Sequence, residues 1–277
     1  MNNVATTTAN KPSKIEALKS ILKAPSVQEQ FQNALKENSG SFVASVIDLY
    51  NGDTNLQNCE PKEVVMEALK AAVLKLPINK SLGFAYIIPY SNSVKLPDGN
   101  WTKKIQAGLQ IGYKGFIQMA MRTGQYRFIN ADIVYEGEIR DVNKLTGEID
   151  FKGEKKSDKV VGYFAYIELL NGFSKTLYMT KERVSAHAKK YSKSFDGKNS
   201  PWTNHYDEMA LKTVLKNLLS HYGFLSVEMM TAFDNDETPE GDTNGGANAT
   251  EIGIEDAEVI PQTETVSNGP VVAGPDF

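Results

Sequence analysis

Basic side chains interleaved with aromatic ones are the most chemically suggestive pattern in this sequence. The densest stretch, residues 174–198, holds seven Lys and Arg against two Asp and Glu, with three aromatic rings among them. Cations that follow a phosphate backbone, alternating with rings on which bases stack, are what binding of a nucleic-acid single strand requires. A basic loop without a ligand is the alternative. From this stretch and the tryptophan that follows it, we predict nucleic-acid contacts by Lys189, Lys190, Tyr191, Lys193, Lys198 and Trp202.

Two predicted helices carry further cations at one-turn spacing. Lys114, Gln118 and Arg122 recur every four residues, which places them on one helix face. Lys212 and Lys216 repeat this spacing in a later helix. Two cations with an amide between them suit a row of phosphates, although an ordinary solvated face also explains the first set. We therefore treat all five residues as candidate nucleic-acid contacts.

The motifs of common catalytic and cofactor sites are missing from the sequence. It contains no GxxxxGK[ST] phosphate loop, no GxGxxG dinucleotide motif and no HExxH zinc motif. The single cysteine, Cys59, excludes an internal disulfide and a multi-thiolate zinc site. His205, Asp207 and Glu208 could hold a cation, but a solvated first helical turn explains them more simply. We therefore predict a binding protein with no catalytic residue, no resident metal and no ATP site; a metal-dependent nuclease is the enzyme alternative.

The formal net charge of −4 combines an acidic C-terminal segment with a basic remainder. Residues 234–277 contain 11 Asp and Glu and no Lys or Arg, so residues 1–233 hold 30 basic and 23 acidic side chains, a net +7. A basic body followed by an acidic tail is typical of proteins that bind a polyanion. Such a tail either competes with nucleic acid for the basic surface, folds into a small module for partner binding or only aids solubility, and all three remain open.

The hydrophobic periodicity predicts an α+β protein. The core is expected to run β-β-α, then antiparallel strands, then two helices, giving a mostly antiparallel sheet packed with helices on one face. The last helix is expected over residues 202–222, and Asn171-Gly172 is expected to turn a hairpin. With no run of 18 apolar residues and one cysteine, we expect no membrane span and a reducing cytoplasm. The predicted regions are disordered residues 1–12, an N-terminal helical region over 13–58, the nucleic-acid-binding core over 59–233 and a disordered acidic tail over 234–277.

Several separate blocks of the core occur in an order that is specific to one protein family. The first block, QIGYKGFIQMAMRTGQY, spans residues 110–126, and VVGYFA follows at 160–165. The blocks YMT, HAKKYS, PW and DEMALKTVLKNLL then begin at residues 178, 187, 201 and 207. Together they resemble the RecT family of bacteriophage single-strand annealing proteins, over about residues 60–230.

The resemblance implies an ATP-independent protein of DNA recombination and repair that coats single-stranded DNA and anneals it to a complement. It implies homo-oligomeric rings or helical filaments that hold one strand or the annealed duplex. A phage exonuclease is the expected source of the strand, and host single-strand-binding protein is a further expected partner. No cofactor is implied, and an effect of Mg²⁺ on annealing is left open. A single-stranded nucleic-acid coat protein that does not anneal is the nearest alternative function.

Overall fold

The computed structural model describes residues 13–96, 99–192, 194–198 and 200–236. Within these ranges the protein is α+β with antiparallel strands, which confirms the predicted fold class. The predicted disorder of residues 1–12 and of the tail beyond residue 236 lies outside the described residues. No helix within the described part of the chain is long and apolar enough to cross a membrane.

Helices form the N-terminal region, as predicted. The Ser13 hydroxyl accepts a hydrogen bond from the Glu16 amide, and the Glu16 carboxylate accepts one from the Ser13 amide, so a capping box starts the first helix. Leu18 and Phe31 lie in one buried cluster with residues of the fourth helix and of the later strands. The region therefore shares the core of the protein. Its α-helices are α1 (Lys14–Lys23), α2 (Pro25–Leu35) and α3 (Ser39–Gly52), and α4 (Pro61–Val73) follows just beyond the predicted boundary at residue 58.

A long β-hairpin follows, in which β1 (Ala85–Lys95) pairs with β2 (Trp101–Ile111) as a separate two-stranded sheet. The half of β2 nearest the body is buried beside α4, where the Leu109 amide donates a 2.8 Å hydrogen bond to Glu67 Oε2. The other half extends past this cover, and the side chain of Trp101 is 69% exposed. The hairpin thus has an anchored end and an open end, and α5 (Tyr113–Arg122) begins two residues after β2.

The second sheet is three-stranded and antiparallel, in the order β3-β6-β7. Asn171-Gly172 makes the predicted turn between the last two strands, and Gly172 adopts a φ of 88°, a conformation that glycine favours. The antiparallel direction was predicted correctly, but the β1–β2 hairpin does not join this sheet. The strands are β3 (Tyr126–Tyr135), β6 (Val160–Leu169) and β7 (Ser174–Thr180), and a short ribbon of β4 (Asp141–Asn143) and β5 (Glu148–Asp150) lies between β3 and β6 in the chain.

The helix predicted over residues 202–222 is confirmed from Tyr206 to Tyr222, but its predicted start is wrong, because the chain breaks at His205. That residue has φ −141° and ψ 50°, which is outside the helical region. The break directs Trp202 into the interior, where its ring packs against Phe195 and Tyr206 with centroids 5.7 and 5.6 Å away. The helices of this part are α6 (Lys181–Tyr191), α7 (Pro201–Asn204), α8 (Tyr206–Tyr222) and α9 (Val227–Asp236), so α9 extends three residues into the predicted tail.

Helix α8 is the centre of the core. It packs against all three strands of the β3-β6-β7 sheet and also contacts α5 and α6. Each fully buried Leu or Val side chain stabilises the fold by about 1.5–3 kcal/mol relative to an exposed one. The helices that carry the candidate site are therefore held in place by burial of α8. Its buried aliphatic residues are Leu211, Val214, Leu215, Leu218 and Leu219.

Cys59 provides a test of this core. Its side chain is fully buried, and burial raises the pKa of its thiol to about 11. Because the thiolate is the reactive form, we expect native protein near pH 8 to react with a thiol reagent at least about 100-fold more slowly than unfolded protein. Release of the chromophore from DTNB, with and without denaturant, measures this ratio. Similar rates in both conditions would contradict the burial of Cys59.

Candidate nucleic-acid interface

Helix α6 carries exposed cations on the side that faces away from the sheet. Val184 and Ala188 are buried and hold the helix against the core, whereas Lys189 and Lys190 are exposed. The side chain of Tyr191 is 60% exposed, and Lys190 Nζ lies 4.9 Å from its ring centroid. Lys190 thus lies beside an exposed ring, an arrangement suited to one phosphate and one base, and Lys189 adds a second exposed cation on the same helix.

A group of basic side chains lies where α6 approaches α8. Arg183, His187 and Lys190 follow each other at spacings of four and three residues, so they share one face of α6. Burial lowers the pKa of His187, and the nearby charges of Lys190, of Lys216 on α8 and of Arg183 lower it further. We call Arg183, His187, Lys190 and Lys216 the α6–α8 basic cluster. In the described residues, no carboxylate oxygen lies within 4.0 Å of the Arg183 or Lys190 nitrogens.

Sequence reasoning selected two members of this cluster and missed the other two. Lys190 and Lys216 were predicted as contacts, but from separate helices with no reason to meet. Arg183 and His187 were not selected, although their spacing from Lys190 on one helix face was visible in the sequence. Arg183 and His187 come near Lys216 only because α6 packs beside α8.

The row on α5 has the predicted exposure, but its last member has a structural partner. Lys114, Gln118 and Arg122 are all exposed on α5. Arg122 Nη2 donates a 2.8 Å hydrogen bond to the carbonyl oxygen of Leu74, the C-cap residue of α4. A cation there stabilises the free carbonyls of the helix end, and burial of the guanidinium lowers the pKa of Arg122. Arg122 therefore joins α5 to α4, and Lys114 is the cation of this row that faces solvent.

Two predicted contacts lie in the interior of this structure. Trp202 is 6% exposed and packs between aromatic rings, so its faces are not open to a base. Lys212 is 8% exposed because α8 is covered on nearly every side. The one-turn spacing with Lys216 therefore did not place both lysines on an open face. Lys198 is exposed, and Lys193 lies outside the described residues.

The residues of the nuclease alternative have other partners. Asp207 Oδ1 accepts a 2.6 Å hydrogen bond from the hydroxyl of Tyr163, whose ring is fully buried. His205 Nδ1 lies 3.1 Å from Glu208 Oε2 on the surface. In the described part of the chain, no group of three or more His, Cys, Asp and Glu side chains is placed to hold a metal ion. Asp207 instead ties the start of α8 to the middle of β6.

The central sequence block also has a structural explanation. A Cβ atom on Gly115 would lie 2.3 Å from the carbonyl oxygen of Phe84, so any side chain there would push α5 away from the start of β1. The glycine thus lets the first turn of α5 pack directly on the chain that enters the hairpin. This contact sets the position of Lys114, one residue earlier.

Comparison with known proteins identifies the class of this chain. The RecT family matches residues 40–249. The chain is 46% identical over 238 residues to "Uncharacterized protein YqaK" of Bacillus subtilis (strain 168), covering 85% of this chain and 78% of that protein. It is 28% identical over 222 residues to "Protein RecT" of Escherichia coli (strain K12), covering 79% of each. The protein belongs to the RecT family of single-strand annealing proteins of DNA recombination, which confirms the resemblance seen in its sequence.

The α6 surface leads to a quantitative prediction. Replacing Lys189 and Lys190 together with Ala should weaken single-stranded DNA binding about 3- to 30-fold at low salt. It should also reduce the slope of log K against log salt by about 1.4, since each phosphate contact on a single strand contributes about 0.7. Fluorescence anisotropy of a labelled oligonucleotide at several salt concentrations measures both quantities.

The matched control for this experiment is Lys144→Ala with Lys152→Ala, which removes the same charge from exposed residues around the β4–β5 ribbon. The control should retain the affinity and salt slope of the wild-type protein. Equal losses in both double variants would assign the effect to net charge, and α6 would not be the binding face.

Proposed function

We propose that this protein binds single-stranded DNA along α6 and anneals it to a complementary strand without a nucleotide cofactor. Membership of the RecT family supports annealing in recombination. The observation that carries the DNA site is the α6–α8 basic cluster beside the exposed ring of Tyr191. Phosphate contacts supply affinity without sequence preference and leave the base edges free for pairing. The proposed phosphate contacts are Lys189, Lys190, Lys193, Lys198 and Lys216, with Lys114 and Gln118 as a second row.

Base pairing itself supplies the driving force for annealing. Each base-pair step of duplex contributes about 1.4 kcal/mol of stacking free energy, so a stretch of ten pairs is strongly favourable without ATP. The protein has to hold the backbone extended so that complementary bases meet in register. In this proposal Mg²⁺ modulates the rate by screening the phosphates of the two strands.

The open end of the β1–β2 hairpin supports assembly into a homo-oligomer. Leu96, Trp101 and Ile105 are between 40% and 69% exposed there. A contact between this end and a different surface of the next protomer is heterologous, and such contacts generate rings or open helical filaments. We therefore assign the hairpin end to the contact between neighbouring protomers. A ring or filament would place successive α6 surfaces along one strand.

The partners of the proposed reaction follow from its substrate. Single-stranded DNA has to be produced before it can be annealed. An exonuclease produces it by degrading one strand of a duplex, and we propose a phage exonuclease for this preceding step. Host single-strand-binding protein occupies the same strand and is the second proposed partner. Both act where DNA is recombined, and we propose the bacterial cytoplasm as the location.

One kinetic experiment distinguishes an annealing protein from a coat protein that does not anneal. Two complementary oligonucleotides, one with a fluorophore and one with a quencher, should anneal faster with the protein than without it, in the absence of nucleotide. Raising salt from about 50 to 200 mM should reduce this acceleration steeply, because phosphate binding releases counterions. Tight strand binding with no acceleration at any protein-to-DNA ratio would favour the coat protein. Degradation of either strand in Mg²⁺ or Mn²⁺ would favour the nuclease.

The hairpin end gives a separate prediction about assembly. Trp101→Ser with Ile105→Thr should reduce the oligomer mass, because both changes remove exposed apolar surface that a neighbouring protomer would cover. The thermal midpoint should change little, since neither side chain belongs to the buried core. Mass photometry with and without DNA measures the assemblies. Leu145→Ser is the control, because Leu145 is an exposed apolar side chain (95%) at the β4–β5 turn. Wild-type assembly by the Trp101 and Ile105 variant would remove the hairpin from the contact.

A further inference from the structure

Helix α9 brings the end of the described chain close to the α6–α8 basic cluster. Phe233 of α9 stacks on Phe116 of α5 with ring centroids 5.1 Å apart, and Met229 and Ala232 of α9 are buried. Lys216 Nζ, a member of the cluster, lies 5.8 Å from the ring centroid of Phe233. The helix ends at Asp236, three residues after Phe233 and less than one turn further along. The chain beyond residue 236 therefore starts beside the cluster.

The segment after residue 236 is acidic, opposite in charge to the basic cluster. Residues 237–277 contain nine Asp and Glu and no Lys or Arg. The first three acids, Glu237, Glu240 and Asp242, lie within nine residues of Phe233. Six extended residues span up to about 20 Å, so a segment that ends at Asp242 is long enough to extend from the end of α9 along the cluster. A short tether also gives them a local concentration in the millimolar range.

The cluster offers such a segment a site of matching chemistry. Three cations lie around one half-buried imidazole, and within the described residues neither Arg183 nor Lys190 has a carboxylate within 4.0 Å. These are the features that also suit the cluster to phosphate. An acidic segment tethered beside the cluster therefore has the chemistry to compete with DNA for it.

We propose that residues 237–242 lie on the α6–α8 basic cluster when no DNA is bound, and that single-stranded DNA displaces them. This inference rests on the proposed function, because it makes the tail a competitor for the same phosphate site. DNA has the advantage once it is present, because it supplies one phosphate per nucleotide and bases that stack on Tyr191. The segment Glu237-Thr-Pro-Glu-Gly-Asp242 has no aromatic ring to replace that stacking.

The first test uses the full-length chain. The near variant carries Glu237→Gln, Glu240→Gln and Asp242→Asn, and the far variant carries Glu251→Gln, Glu255→Gln and Asp256→Asn. Both change the net charge by the same amount. We expect the near variant to bind a labelled oligonucleotide about three- to tenfold more tightly than wild type at about 50 mM salt, and the far variant to change little. At about 0.3 M salt the difference should disappear, because the Debye length becomes short.

The second test measures tail docking without DNA. A fluorescently labelled peptide of residues 234–246 should bind the near variant at low salt, and adding Arg183→Ala with Lys190→Ala to that protein should abolish the binding. A peptide with the three neutralising substitutions is the matched control and should bind much more weakly, because it keeps two of the five carboxylates.

The outcomes separate this inference from the proposed function. Equal DNA affinity of the wild-type, near and far proteins, with no peptide binding, would overturn the tail competition and leave the DNA-binding proposal standing. Equal gains in the near and far variants would also overturn it, since net charge alone would then explain the effect. If none of the proteins bound DNA, the proposed function would fail, and the peptide experiment would still decide whether the tail docks on the cluster.

Discussion

Burial of α8 against the three-stranded sheet is the interaction on which the rest of the structure depends. The helix is enclosed by β3, β6 and β7 on one side and by α5 and α6 on others. The 2.6 Å hydrogen bond from the Tyr163 hydroxyl to Asp207 fixes the start of this helix on the sheet, and burial and the carboxylate together raise the pKa of Tyr163. Because α5 and α6 both pack on α8, the positions of their cations follow from apolar packing and do not require attraction between charged groups.

The same packing forces like charges together. Arg183, Lys190 and Lys216 each lower the pKa of His187, so the packing of α6 on α8 gathers three positive charges around one imidazole. A polyanion that binds there meets a site whose charges are already held in place by apolar packing. Arg122 differs from these cations. Its guanidinium already donates a hydrogen bond to the carbonyl oxygen of Leu74, so it links α5 to α4.

Features that depend on local chemistry could be predicted from the sequence, whereas features that depend on tertiary packing could not. The capping box at Ser13, the turn at Gly172 and the exposed faces of α5 and α6 follow from residue types and spacing alone. The break at His205 does not, because helix periodicity alone continues through that residue, whereas the folded chain interrupts the helix there and buries Trp202 against Phe195 and Tyr206. Lys212 was assigned to an open face because its spacing resembles one, but spacing cannot reveal that α8 is covered on nearly every side. The sequence likewise could not predict that Lys216 of α8 lies near the cations of α6, because this depends on how the two helices pack on one sheet.

The buried thiol of Cys59 has a practical consequence. The chain has one cysteine, and that side chain has no exposed surface. A cysteine introduced on the hairpin end, on α6 or after α9 would therefore be the one thiol open to a dye or a spin label under native conditions. Each surface position becomes individually addressable without first removing a native residue. Distances between neighbouring protomers, and between a protomer and a strand, can then be mapped one pair of positions at a time in the assembled state.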